Sequence, residues 1–201
     1  MPKSFDVQSV FGKAIRDHLE VAAQLESQLS VLQEIGLALT AALRGGGKIL
    51  WCGNGGSAAD SQHLAAELVG RFRRERRGLA SISLTTDTSI LTCVANDFGY
   101  DSVFSRQVEA IGRPGDLLVA LSTSGNSRNV VAALEAARSK GLTTVALTGK
   151  GGGKMAQLAD HVLSVESTDT ARIQEVHILA GHMLCDWVEM DFIRPLDDES
   201  C

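Results

Sequence analysis

The chain has 201 residues, 44% of them hydrophobic, which is enough to bury one core, so we expect one domain. Its formal net charge of -5 excludes a broad basic face for nucleic acid. No apolar run approaches the roughly 20 residues of a membrane span and no signal segment is visible, so we expect a cytoplasmic protein without a membrane partner.

Residues 1–44 carry apolar positions at helical spacing, which predicts two helices. We expect this amino-terminal helical arm to be part of the same domain and to cover its apolar face with another subunit. Residues 45–193 form the main body, and residues 194–201 form a carboxyl-terminal tail. The predicted strands lie near 48–52, 81–84, 117–121, 143–147 and 161–165. The predicted helices lie near 57–70, 87–96, 102–111, 126–139, 153–159 and 171–192.

The alternation of apolar strands with helices indicates an α/β fold with a doubly wound, five-stranded parallel sheet. In such a sheet, ligands bind beyond the carboxyl ends of the strands, where the strand order reverses. The loops that follow the first and third predicted strands are therefore the first places to look for a site.

The first of these loops is Gly53-Asn54-Gly55-Gly56-Ser57, between a predicted strand and a predicted helix. With Ala58 it fits G-x-G-x-x-A, a pattern typical of dinucleotide binding. The acidic residue expected about 20 residues further on is missing, because Asp87 follows too late. A nucleotide-dependent oxidoreductase is therefore the weaker interpretation, and a monophosphate suits the loops better.

His63 and Glu67 lie four residues apart in the next predicted helix, so they share a face. Gln174 and His182 lie eight residues apart in the last predicted helix, within about a quarter-turn of each other. A single histidine on an amphipathic helix is usually structural. For these two histidines a functional role competes with that interpretation, because each has a carboxylate or an amide on its own face.

Two polar segments between these helices are predicted to lie at the surface. The five arginines within residues 71–77 are interrupted by Glu75, which indicates a solvated loop or helix end. One of these arginines could instead contact another subunit or lie at the mouth of the substrate site, and the sequence does not decide between these roles. Asn96 and Asp97 precede Phe98-Gly99, a pattern that suits a turn. These two residues could either end a helix or belong to the site, and both interpretations stay open.

The most informative segment is Ser122-Thr123-Ser124-Gly125-Asn126-Ser127, between a predicted strand and a predicted helix. Free N–H groups and the positive end of a helix dipole favour an anion at such a junction. The four hydroxyls add donors, and Gly125 permits close approach of the backbone to a ligand. We interpret the segment as a phosphate cradle. The alternative is a Ser-rich turn that only caps the helix.

Six segments together resemble a known family: C-G-N-G-G-S-A at 52–58, Q-H-L-A-A-E-L at 62–68, A-N-D at 95–97, L-S-T-S-G-N-S at 121–127, V-A-L-T-G at 145–149 and A-R-I-Q-E-V-H-x-L at 171–179. Over residues 10–193 the chain is similar to sugar isomerase (SIS) domain proteins, and specifically to the phosphoheptose isomerase family. Some members place an aspartate at position 171, where this chain has alanine and Asp169 lies nearby.

The resemblance implies a flavodoxin-like SIS domain that interconverts sedoheptulose 7-phosphate and D-glycero-D-manno-heptose 7-phosphate. In this family the reaction is the first step toward ADP-heptose for bacterial surface polysaccharides such as lipopolysaccharide. It also implies a cytoplasmic homotetramer with active sites at subunit interfaces. One zinc ion per subunit is implied, with ligands at His63, Glu67, Gln174 and His182. The predicted substrate-binding residues are Asn54, Gly55, Gly56, Ser57, Glu67, Asn96, Asp97, Ser122, Thr123, Ser124, Ser127 and Gln174.

Ketose–aldose isomerisation through an enediol needs a base at carbon and an acid–base partner at oxygen. Our hypothesis assigns Glu67 as the carbon base and His182 as the oxygen acid, with the phosphate setting the register. Metal binding would weaken Glu67 as a base, so the two roles compete. The alternative is a non-enzymatic SIS tetramer that binds the replication initiator DnaA. That relative lacks a histidine at the position of His182.

Overall fold

The computed structural model describes residues 6–193, and the predicted tail at 194–201 lies outside the described residues. Five parallel strands form one sheet in the order β2-β1-β3-β4-β5. The predicted doubly wound parallel sheet is confirmed. The strands are β1 (Ile49–Gly53), β2 (Ser81–Ser83), β3 (Leu117–Ser122), β4 (Thr143–Thr148) and β5 (His161–Ser164).

Helices cover both faces of the sheet, which is why its central strands are continuous apolar runs. Alternate residues of β1, such as Trp51 and Cys52, enter the two separate cores. One core also contains side chains of α2, α3 and α7, and the other contains side chains of α4, α5 and α6. The helices are α1 (Lys13–Ala23), α2 (Leu29–Arg44), α3 (Gly56–Val69), α4 (Thr88–Phe98), α5 (Ser105–Ile111), α6 (Arg128–Ser139) and α7 (Thr170–Asp191).

The amino-terminal arm consists of α1 and α2, joined by a 3₁₀ turn over Gln24–Gln28, so the two predicted helices are confirmed. Helix α2 packs on the sheet through Ile35 and Leu39, which are buried. Helix α1 leaves Ile15 and Leu19 exposed. The arm therefore divides into one helix of the core and one helix with an uncovered apolar face.

Three of the predicted helices differ from the structure. The helix predicted near 102–111 begins only at Ser105, after a 3₁₀ turn over Tyr100–Ser102. Residues 153–159 form only a 3₁₀ turn, Met155–Gln157, because Gly151, Gly152 and Gly153 all have positive φ, which a helix does not permit. Helix α4 continues through Phe98 and ends at Gly99, whose φ is +85°. The residues that we expected in a turn before Gly99 thus belong to the last turn of the helix.

All strands are parallel, so their carboxyl ends share one edge of the sheet. The chain order reverses between the neighbouring strands β1 and β3, which places the loops at 53–57 and 122–127 side by side. Within residues 6–193, no helix is both long enough and apolar enough to span a membrane.

Candidate active site

The two loops enclose a cavity of about 260 Å³ at the carboxyl edge of the sheet. Most of the predicted substrate-binding residues contribute to its wall. Thr170, at the start of α7, was not singled out from the sequence and lines it as well. The lining residues are Asn54, Gly55, Gly56, Ser57, Leu121, Ser122, Thr123, Ser127, Thr170 and Gln174.

The hydroxyls of the second loop cluster with each other. Ser127 is the N-cap residue of α6 but makes no side-chain capping hydrogen bond. Its Oγ lies 2.9 Å from Ser122 Oγ, and Ser124 Oγ lies 3.4 Å from the same atom. The simple capping interpretation is therefore wrong for Ser127. Its hydroxyl belongs to a polar group beside the positive end of α6.

Gly125 has a different role from the one expected. Its φ is +64°, and a Cβ at this position would lie 2.1 Å from the carbonyl oxygen of Gly152. The Met155 N–H donates to the Gly125 carbonyl at 3.1 Å, and the Lys154 N–H donates to Asn126 Oδ1 at 3.1 Å. Glycine at 125 thus permits close packing of two loops, where we had expected close approach to a ligand.

On the other side of the cavity, the first loop is fixed by amide side chains. Asn54 and Asn129 each donate from Nδ2 to the other's Oδ1 at 2.8 Å. Asn129 is buried in the first turn of α6, so this pair joins the two loops. A Cβ on Gly56 would lie 2.6 Å from Gln174 Nε2, so glycine makes room for that side chain. Asn129 was missed, and its only sequence signal is its place just after Ser127.

A second polar group lies further along α3 and α7. His63 Nε2 is 2.9 Å from His182 Nε2 and 3.3 Å from Glu67 Oε1. One ligand atom from each of the three residues falls within a span of 4.8 Å. Two imidazoles and a carboxylate are a donor set that zinc accepts in proteins. Three of the four predicted metal ligands are therefore brought together.

Gln174, the fourth predicted ligand, is placed with the cavity. It precedes His182 by eight residues on α7, which corresponds to about 12 Å along the helix axis. Its side chain lines the cavity and packs against Gly56. Gln174 thus belongs to the cavity wall. We call the other three residues the histidine–glutamate cluster (His63, Glu67 and His182).

The surroundings of His182 favour its neutral form. Burial lowers its pKa, the nearby His63 and Arg73 lower it further, and Glu67 opposes them. A neutral imidazole offers a ring nitrogen to a metal or to a proton. One turn before His63, burial raises the pKa of Asp60, with His63 acting in the opposite direction. Asp60 Oδ2 is buried and has no hydrogen-bond partner among residues 6–193.

Three predicted substrate-binding residues lie outside the cavity wall besides Glu67. Asn96 and Asp97 are exposed at the end of α4, where Asn96 Nδ2 donates to Asp97 Oδ1 at 2.8 Å. Ser124 lines an adjoining pocket of about 220 Å³, which Lys150 also borders. Asp169 is the N-cap of α7 and accepts from the Ala171 N–H at 2.9 Å, so the carboxylate nearest to position 171 is occupied with capping.

The arginine-rich segment is only partly solvated. The Arg76 side chain is fully buried and pairs with the buried Glu189 at 3.3 Å, so a solvated position was the wrong prediction for Arg76. The Phe72 ring stacks on His182, with ring centroids 5.3 Å apart and planes at 19°. Reasoning from the sequence did not distinguish Arg76 from the neighbouring arginines and gave Glu189 no role. A detectable signal was Glu189, a charged residue on the apolar stripe of α7.

Comparisons with known proteins agree with this fold and site. The SIS domain family matches residues 11–149. The chain is 62% identical over 151 residues to a phosphoheptose isomerase of Rhodospirillum rubrum (75% of this chain and 80% of the relative). It is 56% identical over 167 residues to one of Akkermansia muciniphila (83% and 88%). The structure of phosphoheptose isomerase GmhA from Neisseria gonorrhoeae superposes with a TM-score of 0.82 at 46% identity, covering 92% of this chain and 97% of that chain. The chain belongs to the SIS domain family and, within it, to the phosphoheptose isomerases.

Proposed function

We propose that this protein is a ketose–aldose isomerase that interconverts sedoheptulose 7-phosphate and D-glycero-D-manno-heptose 7-phosphate. Identity of 56–62% to phosphoheptose isomerases supports the reaction. The observation that carries the proposal is the histidine–glutamate cluster, which puts a carboxylate and two imidazoles within 4.8 Å of one another. Such groups can move one proton between neighbouring carbons and another between their oxygens.

The cavity is the proposed site of the phosphate group. Ser122, Thr123 and Ser127 line the space in front of the α6 amino terminus. Hydroxyl donors and the helix dipole both favour an anion there. Asn54 and Gln174 line the same space and offer donors and acceptors to sugar hydroxyls. Phosphate capture would fix the register of the sugar chain, so that its carbonyl end meets the catalytic groups.

Glu67 and His182 are the proposed proton carriers. The Glu67 carboxylate removes the proton from the carbon next to the carbonyl and returns it to the neighbouring carbon after the enediol forms. The His182 imidazole moves the second proton between the two oxygens. A neutral imidazole has one ring nitrogen that accepts a proton and one N–H that donates one, as this step needs.

The same proposal includes one zinc ion per subunit. His63, Glu67 and His182 would hold it, and Gln174 is the proposed fourth ligand through its amide oxygen. When bound, zinc would polarise the substrate oxygens and stabilise negative charge on them. The chemistry of the donor set fits the ion, because nitrogen and carboxylate oxygen ligands are both common around zinc.

A homotetramer with active sites at subunit interfaces is also part of the proposal. Exposed apolar side chains on α1, α2 and α7 support it, since such side chains call for a cover. The groove between α2 and α7 has a volume of about 330 Å³ and is lined by Leu29, Leu32, Gln33, Met183, Leu184 and Trp187. A cytoplasmic location and a place on the route to ADP-heptose and lipopolysaccharide rest on the family alone.

A coupled assay with sedoheptulose 7-phosphate, run before and after chelation, tests the substrate and the metal together. We expect turnover by the protein as purified, a loss of turnover on chelation, and recovery with added zinc. No turnover in any of these states would contradict the proposal. The DnaA-binding alternative is not favoured, because the relatives are isomerases and His182 is present. Binding of DnaA in a pull-down, by protein that shows no turnover of sedoheptulose 7-phosphate, would support that alternative.

A further inference from the structure

A buried carboxylate of α7 holds the segment between α3 and β2. Glu189 is 0% exposed. It accepts hydrogen bonds from three consecutive backbone N–H groups, those of Phe72, Arg73 and Arg74, at 2.9, 2.7 and 2.8 Å. Three charge-assisted bonds to successive residues leave the segment little freedom. Glu189 therefore fixes the path of the chain at Phe72, whose ring stacks on His182.

The partner of this carboxylate caps the helix that carries the rest of the cluster. Arg76 Nε lies 3.3 Å from Glu189 Oε1, and neither side chain is exposed. From its two Nη atoms Arg76 donates to the carbonyl oxygens of Glu67 at 2.7 Å, Leu68 at 2.9 Å and Gly70 at 3.0 Å. The Glu67 and Leu68 carbonyls belong to the last turn of α3 and have no partner within the helix, and Gly70 is the residue that follows the helix. The guanidinium thus fixes the end of α3 at the residue that bears the catalytic carboxylate.

The ion pair consequently connects both halves of the histidine–glutamate cluster. On the α3 side it holds the backbone of Glu67 through Arg76. On the α7 side, Glu189 sets the position of Phe72 against the His182 ring. Apolar residues could not replace the pair, because three backbone N–H groups and three carbonyl oxygens would lose these hydrogen bonds. The pair therefore fixes the backbone at two points that adjoin the cluster, Glu67 on α3 and Phe72 beside His182.

We propose that Glu189 and Arg76 are positioning residues that set the orientation of His182 relative to Glu67 and His63. Neither lines the cavity nor belongs to the cluster. The catalytic consequence rests on the proposed function, whereas the orientation of the ring does not. Loss of residues that orient catalytic or metal-binding groups typically costs about 10–100-fold in activity or metal affinity.

The test compares Glu189→Gln and Phe72→Leu with the matched control Asp116→Asn in the full-length protein. Asp116 is also a buried carboxylate that accepts backbone N–H bonds, from Lys48 at 2.9 Å and Arg113 at 2.8 Å. It lies at the opposite edge of the sheet, just before β3. Glu189→Gln and Asp116→Asn should both lower the stability of the fold. A change in the histidine–glutamate cluster that appears only in Glu189→Gln therefore reports the orientation of His182 and not a loss of stability.

Three readouts are taken well below each variant's melting temperature: the NMR signal of 13Cε1-labelled His182, zinc affinity by chelator competition, and kcat and KM. We expect Glu189→Gln to move the His182 signal toward that of Phe72→Leu. We also expect zinc affinity or kcat to fall about tenfold or more, with KM within about twofold. Asp116→Asn should leave the His182 signal, the zinc affinity and kcat at wild-type values.

A wild-type His182 signal together with wild-type zinc affinity and kcat in Glu189→Gln would overturn the inference. If Glu189→Gln does not fold, Arg76→Lys takes its place, since lysine keeps the charge and loses the planar fork that caps α3. A wild-type protein that is inactive on sedoheptulose 7-phosphate would refute the proposed function. In that event the His182 signal of Glu189→Gln alone tests the positioning role. A shifted signal would support the role, and a wild-type signal would contradict it.

Discussion

Glu67 is assigned two roles that oppose each other. Its carboxylate lies 3.3 Å from His63 Nε2 and its side chain is 20% exposed, which suits a metal ligand. A carboxylate that shares its charge with a metal accepts a proton less readily, so tight metal binding lowers its strength as a base. His63 and His182 offer a metal two further ligand atoms within 4.8 Å of the Glu67 carboxylate.

Replacing Glu67 by glutamine keeps the size of the side chain and removes the base. We predict that kcat falls about 10²–10⁴-fold, the range usual for a general acid–base group. Glu109→Gln, at a half-exposed carboxylate paired with Arg106 on α5, is the control and should keep wild-type turnover. Near-normal turnover in Glu67→Gln would remove this residue from the chemistry. Zinc affinity of the same variant shows how much of the loss comes from metal binding.

His177 gives the protein a pH-dependent stability that is independent of catalysis. The side chain is fully buried, its Nε2 lies 3.0 Å from the Thr148 carbonyl oxygen, and burial lowers its pKa to about 4. The unfolded chain takes up a proton below pH 6.5 and the folded chain resists it down to about 4, so the folded state loses stability as pH falls between these values. The total amounts to about 3 kcal/mol.

Denaturant unfolding at pH 7.5 and pH 4.5 measures this effect. His177→Gln is the matched variant, because an amide Nε2 can still donate to Thr148 and does not titrate in this range. We expect a smaller loss of unfolding free energy between the two pH values in the variant than in the wild type. Equal losses in both proteins would show that other groups cause the pH dependence.

Arg76 and Glu189 show where prediction at the scale of single residues fails. Five neighbouring arginines look alike in sequence, and only the fold decides which one is buried. Glu189 on the apolar stripe of α7 did signal a buried carboxylate, but its partners are backbone N–H groups of a distant segment. Such contacts have no local pattern. By contrast, His63 and Glu67 were predictable because their spacing on one helix fixes their relation.

At the scale of elements, the strands were predictable and several helix ends were not. The central strands are apolar on both faces, so each gives a short continuous apolar run between turn residues. The sequence therefore predicted all five strands, whereas their order in the sheet came only from the structure. The segment at 153–159 carries helix-forming residues, but Gly152 and Gly153 take positive φ and their backbones lie against Gly125. That contact depends on the other loop and not on local propensity.

The loop at 122–127 is expected to act mainly in binding. Ser122→Ala combined with Ser124→Ala removes two hydroxyls near the proposed phosphate site, and a hydrogen bond to a charged group is worth about 1.5–3 kcal/mol. We predict a rise in KM of about tenfold or more with kcat changed only a few-fold. Ser139→Ala, at the other end of α6, is the control. An unchanged KM in the double variant would mean that the loop is structural.

At the scale of the whole molecule, the cavity and the cluster are separate places on one chain. From Gly56 at the start of α3 to His63 is seven residues, or about 10 Å of helix. The proposed assembly would let the cavity of one subunit face the cluster of another. The exposed apolar faces of α1 and α7 are consistent with such contacts.

Mixing two variants, each of low activity at substrate concentrations well below KM, tests whether subunits share a site. One carries Glu67→Gln, and the other carries Ser122→Ala with Ser124→Ala. If each site takes its cavity from one subunit and its cluster from another, co-expressed subunits should recover up to roughly a quarter of wild-type activity by random pairing. Activity equal to the average of the two parents would place each complete site within one chain. The mass of the mixed assembly, measured by light scattering, checks that the subunits have combined.

The contact between Gly125 and Gly152 has a consequence for how the ligand arrives. The two backbones touch so closely that neither loop can swing outward without displacing the other. A phosphate ester would meet a receptor that already has its final shape, so little freedom is lost at capture. Discrimination between sugars of different length then depends on the end of the sugar that is remote from the phosphate. A sugar of the right length brings its carbonyl to the catalytic groups, and a shorter one does not.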